Sequence, residues 1–250
     1  MERNTPNYRR KRKRSPLGTL LGFLLICAII FVGVSVFFRV SDIRVEGETR
    51  YTPAQVVEAS GITLGNHIML IDEAAVTERI QSELPYIGNA SIVRRFPGRV
   101  DILVEEAEAI AYLATAYGYL LLDREGKVLE AQTVLPERNL ITVTGLHPLE
   151  RVVAGQALEV GEEHAYQIVY LEEILRNVYQ IGIADRIGSL DMSDVLNPIF
   201  ELSGRFTVQL GPNRNLSQKM QMLIEIYIRL DPHDRGVIDL NPDNPIFRAE

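Results

Sequence analysis

From Leu17 to Phe38, "LGTLLGFLLICAIIFVGVSVFF", 22 consecutive positions carry no charged side chain. Beyond Val40 the pattern breaks into short segments whose apolar positions recur every second or every third to fourth residue. The uncharged stretch predicts a helix about 33 Å long, close to the thickness of a bilayer's hydrocarbon core. It is apolar all round, where a helix buried in a soluble domain keeps a polar stripe. The expectation is a single transmembrane helix over 17–38.

The next segment, "RVSDIRVEG", alternates through Val40, Ile43 and Val45 to Gly47 and predicts a strand and turn. Thr52 as N-cap and Pro53 at the first helical position open the helix "PAQVVEAS", which ends at Gly61 with Val56 and Val57 toward a core. Asp72 caps a second helix, "EAAVTERIQSEL", whose buried side is Ala75, Val76, Ile80 and Leu84 and which stops before Pro85. "YIGNASIVRRF" and "RVDILVEEAEA" alternate and are joined by Pro97-Gly98, a hairpin. The order strand, helix, helix, strand, strand predicts a small α+β domain with Ile80 and Val93 in its core.

Further on, "YLLLDREGKVLE" (119–130) is a hairpin around the Asp123–Gly126 turn cluster. Residues 162–179 space Ile168, Leu171, Ile174, Leu175 and Val178 as a helix does. Alternating runs follow near Ile187–Met192, Ile199–Leu202 and Arg205–Leu210, the last broken by Gly211 and Pro212. "LSQKMQMLIEIYIRL" predicts another amphipathic helix, and "GVIDL" (236–240) a short strand that ends the regular structure.

Charge fixes the orientation of the predicted span. Residues 9–14 are six consecutive Lys/Arg, and residues 1–14 carry seven against Glu2, so this tail is +6 and the rest −13 in a chain of formal charge −7. Basic residues beside a span stay on the cytoplasmic side, which puts the N-terminus inside and everything after Val40 outside. A cleaved signal fits poorly: the apolar stretch is too long and exits through "FFRV". The acidic remainder repels phosphate and argues against nucleic-acid binding. The sole cysteine, Cys27, lies in the predicted span, so the outer part has neither disulfide nor thiol chemistry. Gly18 and Gly22 form a GxxxG, and Asn89 and Asn215 head glycosylation sequons, all at frequencies chance supplies.

"VSDIRVEGETRYTPAQVVEASGI" and "LPYIGNASIVRRFPGRVDILVEE" together resemble the POTRA domain of the FtsQ/DivIB cell-division family. The likeness lies in an Ile-x-Val-x-Gly strand after the anchor, a Gly-Ile closing the first helix and a Val-x-Arg-x-x-Pro hairpin. The family often continues with Glu-Arg-x-Pro-x-Ala, and "EEAEAIA" here lacks the Arg and Pro. The 119–130 hairpin and "LPERNLITVTGL" resemble the start of the family's second domain. The implied organisation is a cytoplasmic tail (1–16), the span (17–38), a POTRA domain (40–108), a larger mixed-sheet FtsQ/DivIB-type β domain (109–245) and a C-terminal tail (246–250).

Catalytic patterns are missing from this reading. His67, His147, His164 and His233 are scattered, with no HExxH, G-x-S-x-G, S-x-x-K or P-loop. Ser217 and Lys219 read as a helix N-cap and an exposed lysine. The pairs Glu105/Glu106, Glu162/Glu163 and Glu172/Glu173 read as solvated faces, because adjacent carboxylates diverge. The expectation is a binding protein without cofactor or metal, and a membrane-tethered wall hydrolase is left without catalytic residues.

The resemblance implies a bitopic divisome scaffold that joins FtsL and FtsB/DivIC and helps regulate septal peptidoglycan synthesis, with the septal synthase a further partner. The alternative is a membrane-anchored POTRA-type protein that binds polypeptides in secretion or assembly. In the resembled family the FtsB/DivIC partner adds a strand at the chain's C-terminal end. The matching positions are the strand Val237, Ile238, Asp239 and Leu240, expected at a sheet edge, with Phe247 nearby and Tyr227 and Arg229 on the preceding helix. Phe247 has two readings, partner contact or cap of the domain core.

Overall fold

The uncharged stretch forms helix α1, Pro16–Phe37. The computed structural model describes residues 16–134, 139–148, 152–158, 160–161, 164–241 and 245–249. The basic tail over 1–15 and the Glu162/Glu163 pair lie outside them. Counting the described residues alone, no helix is long and apolar enough to cross a membrane. What is described is a 22-residue helix whose large apolar side chains, Phe23, Leu24 and Ile29 among them, are exposed.

The first domain runs β1 (Asp42–Glu46), α2 (Pro53–Ser60), a 3-10 turn (Ile68–Leu70), α3 (Glu73–Glu83), β2 (Ile87–Arg95) and β3 (Arg99–Glu106). Its helix ends follow local chemistry. Thr52 Oγ1 accepts from Gln55 N at 3.3 Å while Thr52 N donates to Gln55 Oε1 at 2.9 Å, a reciprocal capping box. Gly61 closes α2 at φ 65°, a conformation that glycine adopts without strain. Asp72 Oδ1 accepts from Ala74 N and Ala75 N at the start of α3. The strands lie in the order β1-β3-β2, β1 parallel and β2 antiparallel to β3.

Val56, Ile62, Ile68 and Ile80 pack with Ile92, Val100 and Ile102 as one core. Two expected core positions are corrected. Ala75 is exposed, because five residues before Ile80 is about 140° around the helix. Val93 is half-buried and Ile92 is the core residue, since of two adjacent apolar positions on a strand only one can face the helices. Val93 stands opposite Asp101 on the other face, where Arg95 Nε (2.9 Å) and Arg99 Nε (3.1 Å) approach the Asp101 carboxylate.

The second domain is β4 (Ala111–Thr115), β5 (Gly118–Leu122), β6 (Val128–Gln132), β7 (Ile141–Thr144), α4 (Ala165–Gln180), β8 (Ile187–Asp191), β9 (Ile199–Leu202), β10 (Phe206–Gln209), α5 (Leu216–Tyr227), β11 (Gly236–Asp239) and β12 (Ile246–Ala249). These make a nine-stranded sheet in the order β12-β11-β10-β9-β8-β7-β4-β5-β6. Helices α4 and α5 contribute to one core with the inward residues of its strands. The uncovered face alternates polar, as at Thr142, Ser189 and Thr207. On α4, Leu171, Ile174, Leu175 and Val178 are buried as their spacing predicts. Tyr170 is buried beside them, its hydroxyl donating to Gly211 O at 2.8 Å and pushed to a raised pKa by that burial. Neither β4 nor β12 is expected from the sequence pattern. Residues 246–249 are a strand of the sheet and not a tail.

The domains meet on Tyr86, Ala107, Ala109, Leu121 and Leu129. Arg50 lies 3.4 Å from the Tyr86 ring centroid, the Tyr86 hydroxyl donates to Glu130 Oε2 at 2.7 Å, and Lys127 Nζ donates to Ile87 O at 2.6 Å. Beside this joint Asp123 Oδ1 accepts from Glu125 N and Lys127 N, each at 2.9 Å. Burial nevertheless raises the Asp123 pKa above 3.8, so the folded chain holds the proton more tightly than the unfolded one. Stability from this group is full below the unfolded value and lost as pH rises through the folded one. Asp123→Asn keeps an acceptor for both N–H groups. Its urea midpoint is expected above that of the parent at about pH 7, with the gap closing near pH 3. An equal gap at both pH values would remove charge as the cause.

Candidate partner-binding edge

β11 is not a sheet edge. Its residues pair with β10 in parallel on one side and with β12 antiparallel on the other, Gly236 facing Ala249, Val237 Arg248, Ile238 Phe247 and Asp239 Ile246. The expectation of an open edge at Val237–Leu240 is therefore corrected: the chain's own last strand occupies it. The outer side of β12 is now the edge, since β12 stands at the end of the sheet and no described strand pairs beyond it. Gly236 seats this strand, because a Cβ there would collide with the Arg248 carbonyl.

Burial sorts the expected residues. Ile238 and Leu240 are fully buried in the large core. Val237 and Asp239 are half-buried on the uncovered face, where Arg248 Nη2 lies 3.5 Å from Asp239 Oδ2. Phe247 is partly buried and meets the Phe206 ring edge-on at 6.0 Å. Tyr227 closes α5 and meets the same ring from another side, also at 6.0 Å. Its hydroxyl is 3.0 Å from Ser203 Oγ, and that contact, followed by Arg205 and Arg186, holds its pKa below the usual tyrosine range. Arg229 is not on the helix: α5 ends at Tyr227, and Arg229 is exposed in the following turn.

Phe206 and Arg205 organise this corner and were not singled out by the sequence pattern. Arg205 Nη1 donates to Asp231 O (3.0 Å), Pro232 O (2.6 Å) and Asp234 O (3.3 Å), tying down the turn between α5 and β11. Its guanidinium carbon is 4.7 Å from the Phe206 centroid. The signal for Phe206 was present as the one aromatic in its alternating run. For Ile246 and Arg248, the outward residues of β12, there was none.

A concavity of about 410 Å³ adjoins the beginning of β12, lined by Pro212, Arg214, Lys219, Met222, Leu240 and Pro245. Lys219 is corrected from exposed to half-buried: its Nζ donates to Leu210 O at 2.6 Å and Pro212 O at 3.0 Å, and burial followed by Arg214 lowers its pKa. Ser217 lies inside α5, while the N-cap is Asn215 at φ 52°. No group of His, Cys, Asp and Glu among the described residues could hold a metal ion. Among the described residues the outer backbone of β12 has no strand beside it, and apolar and cationic groups adjoin it.

Two family descriptions match the chain: "POTRA domain, FtsQ-type" over residues 38–107 and "Cell division protein FtsQ/DivIB, C-terminal" over 111–241. β12 lies just beyond the second match. A relative named cell division protein DivIB from Clostridium botulinum is 25% identical over 248 residues, 97% of this chain and 94% of its own. Relatives named cell division protein FtsQ include one from Chloroflexus aggregans, 26% identical over 90% of this chain and 79% of its own. Another, from Corynebacterium glutamicum, is 31% identical over 42% of this chain and 48% of its own.

Proposed function

The chain belongs to the FtsQ/DivIB family of cell-division proteins, and from that premise we propose that it is a bitopic scaffold of the divisome. Helix α1 crosses the cell membrane once, the basic tail stays in the cytoplasm, and both folded domains work outside, at the division septum. The support for this topology is the uncharged helix and the six basic residues before it. The scaffold joins FtsL and FtsB/DivIC-type proteins and through them bears on the septal peptidoglycan synthase.

One observation carries the partner site: β12 leaves one side of its backbone unpaired at the end of a nine-stranded sheet. An incoming strand of an FtsB/DivIC-type partner pairs there through main-chain hydrogen bonds. Ile246 and Arg248, both exposed, read its side chains, and Arg214 and Lys219 at the adjoining cavity favour acidic ones. Val237 and Asp239 take part through the shared face, and Tyr227 and Phe247 by holding the strand.

Truncation after Asn241 removes β12 and is expected to abolish capture of the co-expressed partner by the membrane-inserted chain, which otherwise keeps α1 and both domains. Because truncation also uncovers the core, Ile246→Asp is the cleaner variant. Ile246 is 45% exposed, so the change empties no cavity, yet it places a charge on the pairing edge. Capture should weaken about tenfold or more, equivalent to roughly 1.4 kcal/mol, while the melting temperature falls by only a few degrees from the new carboxylate opposite Asp239. Undiminished capture by both variants would move the partner site elsewhere.

A further inference from the structure

The residues that leave helix α1 are gripped from two sides. On one side Val40 N donates to Asn66 O, Gly65 N to Val40 O and Ile68 N to Phe38 O, at 2.8, 2.8 and 2.9 Å. On the other, Ser41 N donates to Gly98 O at 2.7 Å, and the Phe38 ring meets Phe96 edge-on at 5.6 Å. Two excursions of the small domain, the 64–70 loop and the tip of the β2–β3 hairpin, are thereby held beside the end of α1. Their tips carry Leu64, Met69, Leu70 and Phe96 at 68%, 55%, 81% and 56% exposure. None of the four is in the domain's hydrophobic core. Exposed large apolar groups gathered at one end of a domain mark an interaction surface.

We propose that this end of the small domain is a lipid-contacting surface: Leu64, Met69, Leu70 and Phe96 sit in the headgroup–acyl boundary of the outer leaflet next to helix α1. The inference rests on the reading of α1 as a membrane span. Continuity with that span selects lipid over a protein occupant. The Ile68 N–H touches the carbonyl of Phe38, the first residue after the helix, and Leu70 is two residues further on. At most 3.6 Å per residue keeps its Cα within about 11 Å of Phe38. The headgroup region extends about 5–8 Å beyond the hydrocarbon on each side, so Ile68 and Met69, next to the Phe38 carbonyl, fall at its depth, and Leu70 reaches it through its side chain. Arg39, Arg95 and Arg99 lie around the same end; Arg95 and Arg99 share the one Asp101 carboxylate, so the end keeps a net positive charge, the sign that suits lipid phosphates. Such contact sets the tilt of the small domain on the membrane and, through the Tyr86 joint, the height at which β12 is presented.

The chain contains no tryptophan, so single-tryptophan variants of the full-length protein in lipid nanodiscs report each position separately. Ile29→Trp probes the span, Leu70→Trp the proposed surface, and Tyr117→Trp, at a residue 74% exposed in the second domain, the surrounding water. With a quencher attached high on the acyl chain, Leu70→Trp is expected to lose about half of its emission or more, while Tyr117→Trp keeps its own; Ile29→Trp, near the middle of the span, is read with a second quencher at the end of the acyl chain. Leu70 packs on so little that the replacement displaces nothing. If Ile29→Trp is quenched and Leu70→Trp is as bright as Tyr117→Trp, the surface is overturned and the span stands. If Ile29→Trp is not quenched, the spanning reading falls and the surface with it. A Leu70→Trp shielded from a water-borne quencher but untouched by the lipid one would assign the patch to a protein, which also overturns the proposal.

Discussion

Phe206→Ala is expected to lower the unfolding free energy by about 3–5 kcal/mol, the range for deleting a fully buried aromatic ring. Phe206 is 1% exposed, and it is the common seat of Tyr227, Phe247 and the Arg205 guanidinium. Its loss leaves a cavity bounded by the end of α5 on one side and β12 on the other. Neither can collapse far, because Arg205 ties the intervening turn and Gly236 is already in close contact with β12. In a chain of this size the change corresponds to roughly 6–20 °C in melting temperature, measurable by circular dichroism of the full-length protein in micelles. Capture of the partner should fall with it at temperatures well below melting, since β12 loses the ring that orients Phe247. Phe247→Ala removes a half-exposed ring and should have a smaller effect on melting. A melting shift for Phe206→Ala no larger than that for Phe247→Ala would mean that the corner is not organised around Phe206.

Ile80→Ala comes second, at about 2–5 kcal/mol. Ile80 is fully buried in the small domain's core, where α3 meets the inward residues of β2 and β3. A domain this small has roughly 5 kcal/mol to lose. The effect should therefore be regional: hydrogen exchange of β1, β2 and β3 accelerates while the strands of the nine-stranded sheet stay protected. The hydrogen bond from Lys127 Nζ to Ile87 O and the Tyr86 contacts set how far the loss spreads into β5 and β6. Uniform acceleration across both domains would make the joint part of a single cooperative unit. No acceleration in β2 or β3 would contradict the burial of Ile80.

Much of the fold is legible along the chain because it is dictated locally. The Thr52/Pro53 and Asp72 starts, the Gly61 stop, the Pro97-Gly98 and Asp123–Gly126 turns and the spacing on α4 each involve residues a few positions apart. The candidate site was less legible. β12 offers four residues, "IFRA", behind the proline-rich "NPDNP", too short to display a period. β4, "AYLAT", carries two alanines where strands favour branched and aromatic residues. Ile92 and Val93 are equally apolar, and only pairing to Ile102 and Asp101 decides which faces the helices.

The sequence by itself determined the uncharged helix with its basic flank, two domains in order and most strands and helices, because composition, periodicity and capping act over a few residues; the family entered through the resemblance of its motifs. Tertiary structure alone decided which strand is the edge. β7 lies beside β4 although the β5–β6 hairpin separates them in the chain, and β11 is enclosed between β10 and β12. Strand adjacency is fixed by which surfaces bury together across long separations, and no local pattern encodes it. For the same reason Ile238 and Leu240, read as partner contacts, are core residues, and the open backbone passes to Ile246–Ala249.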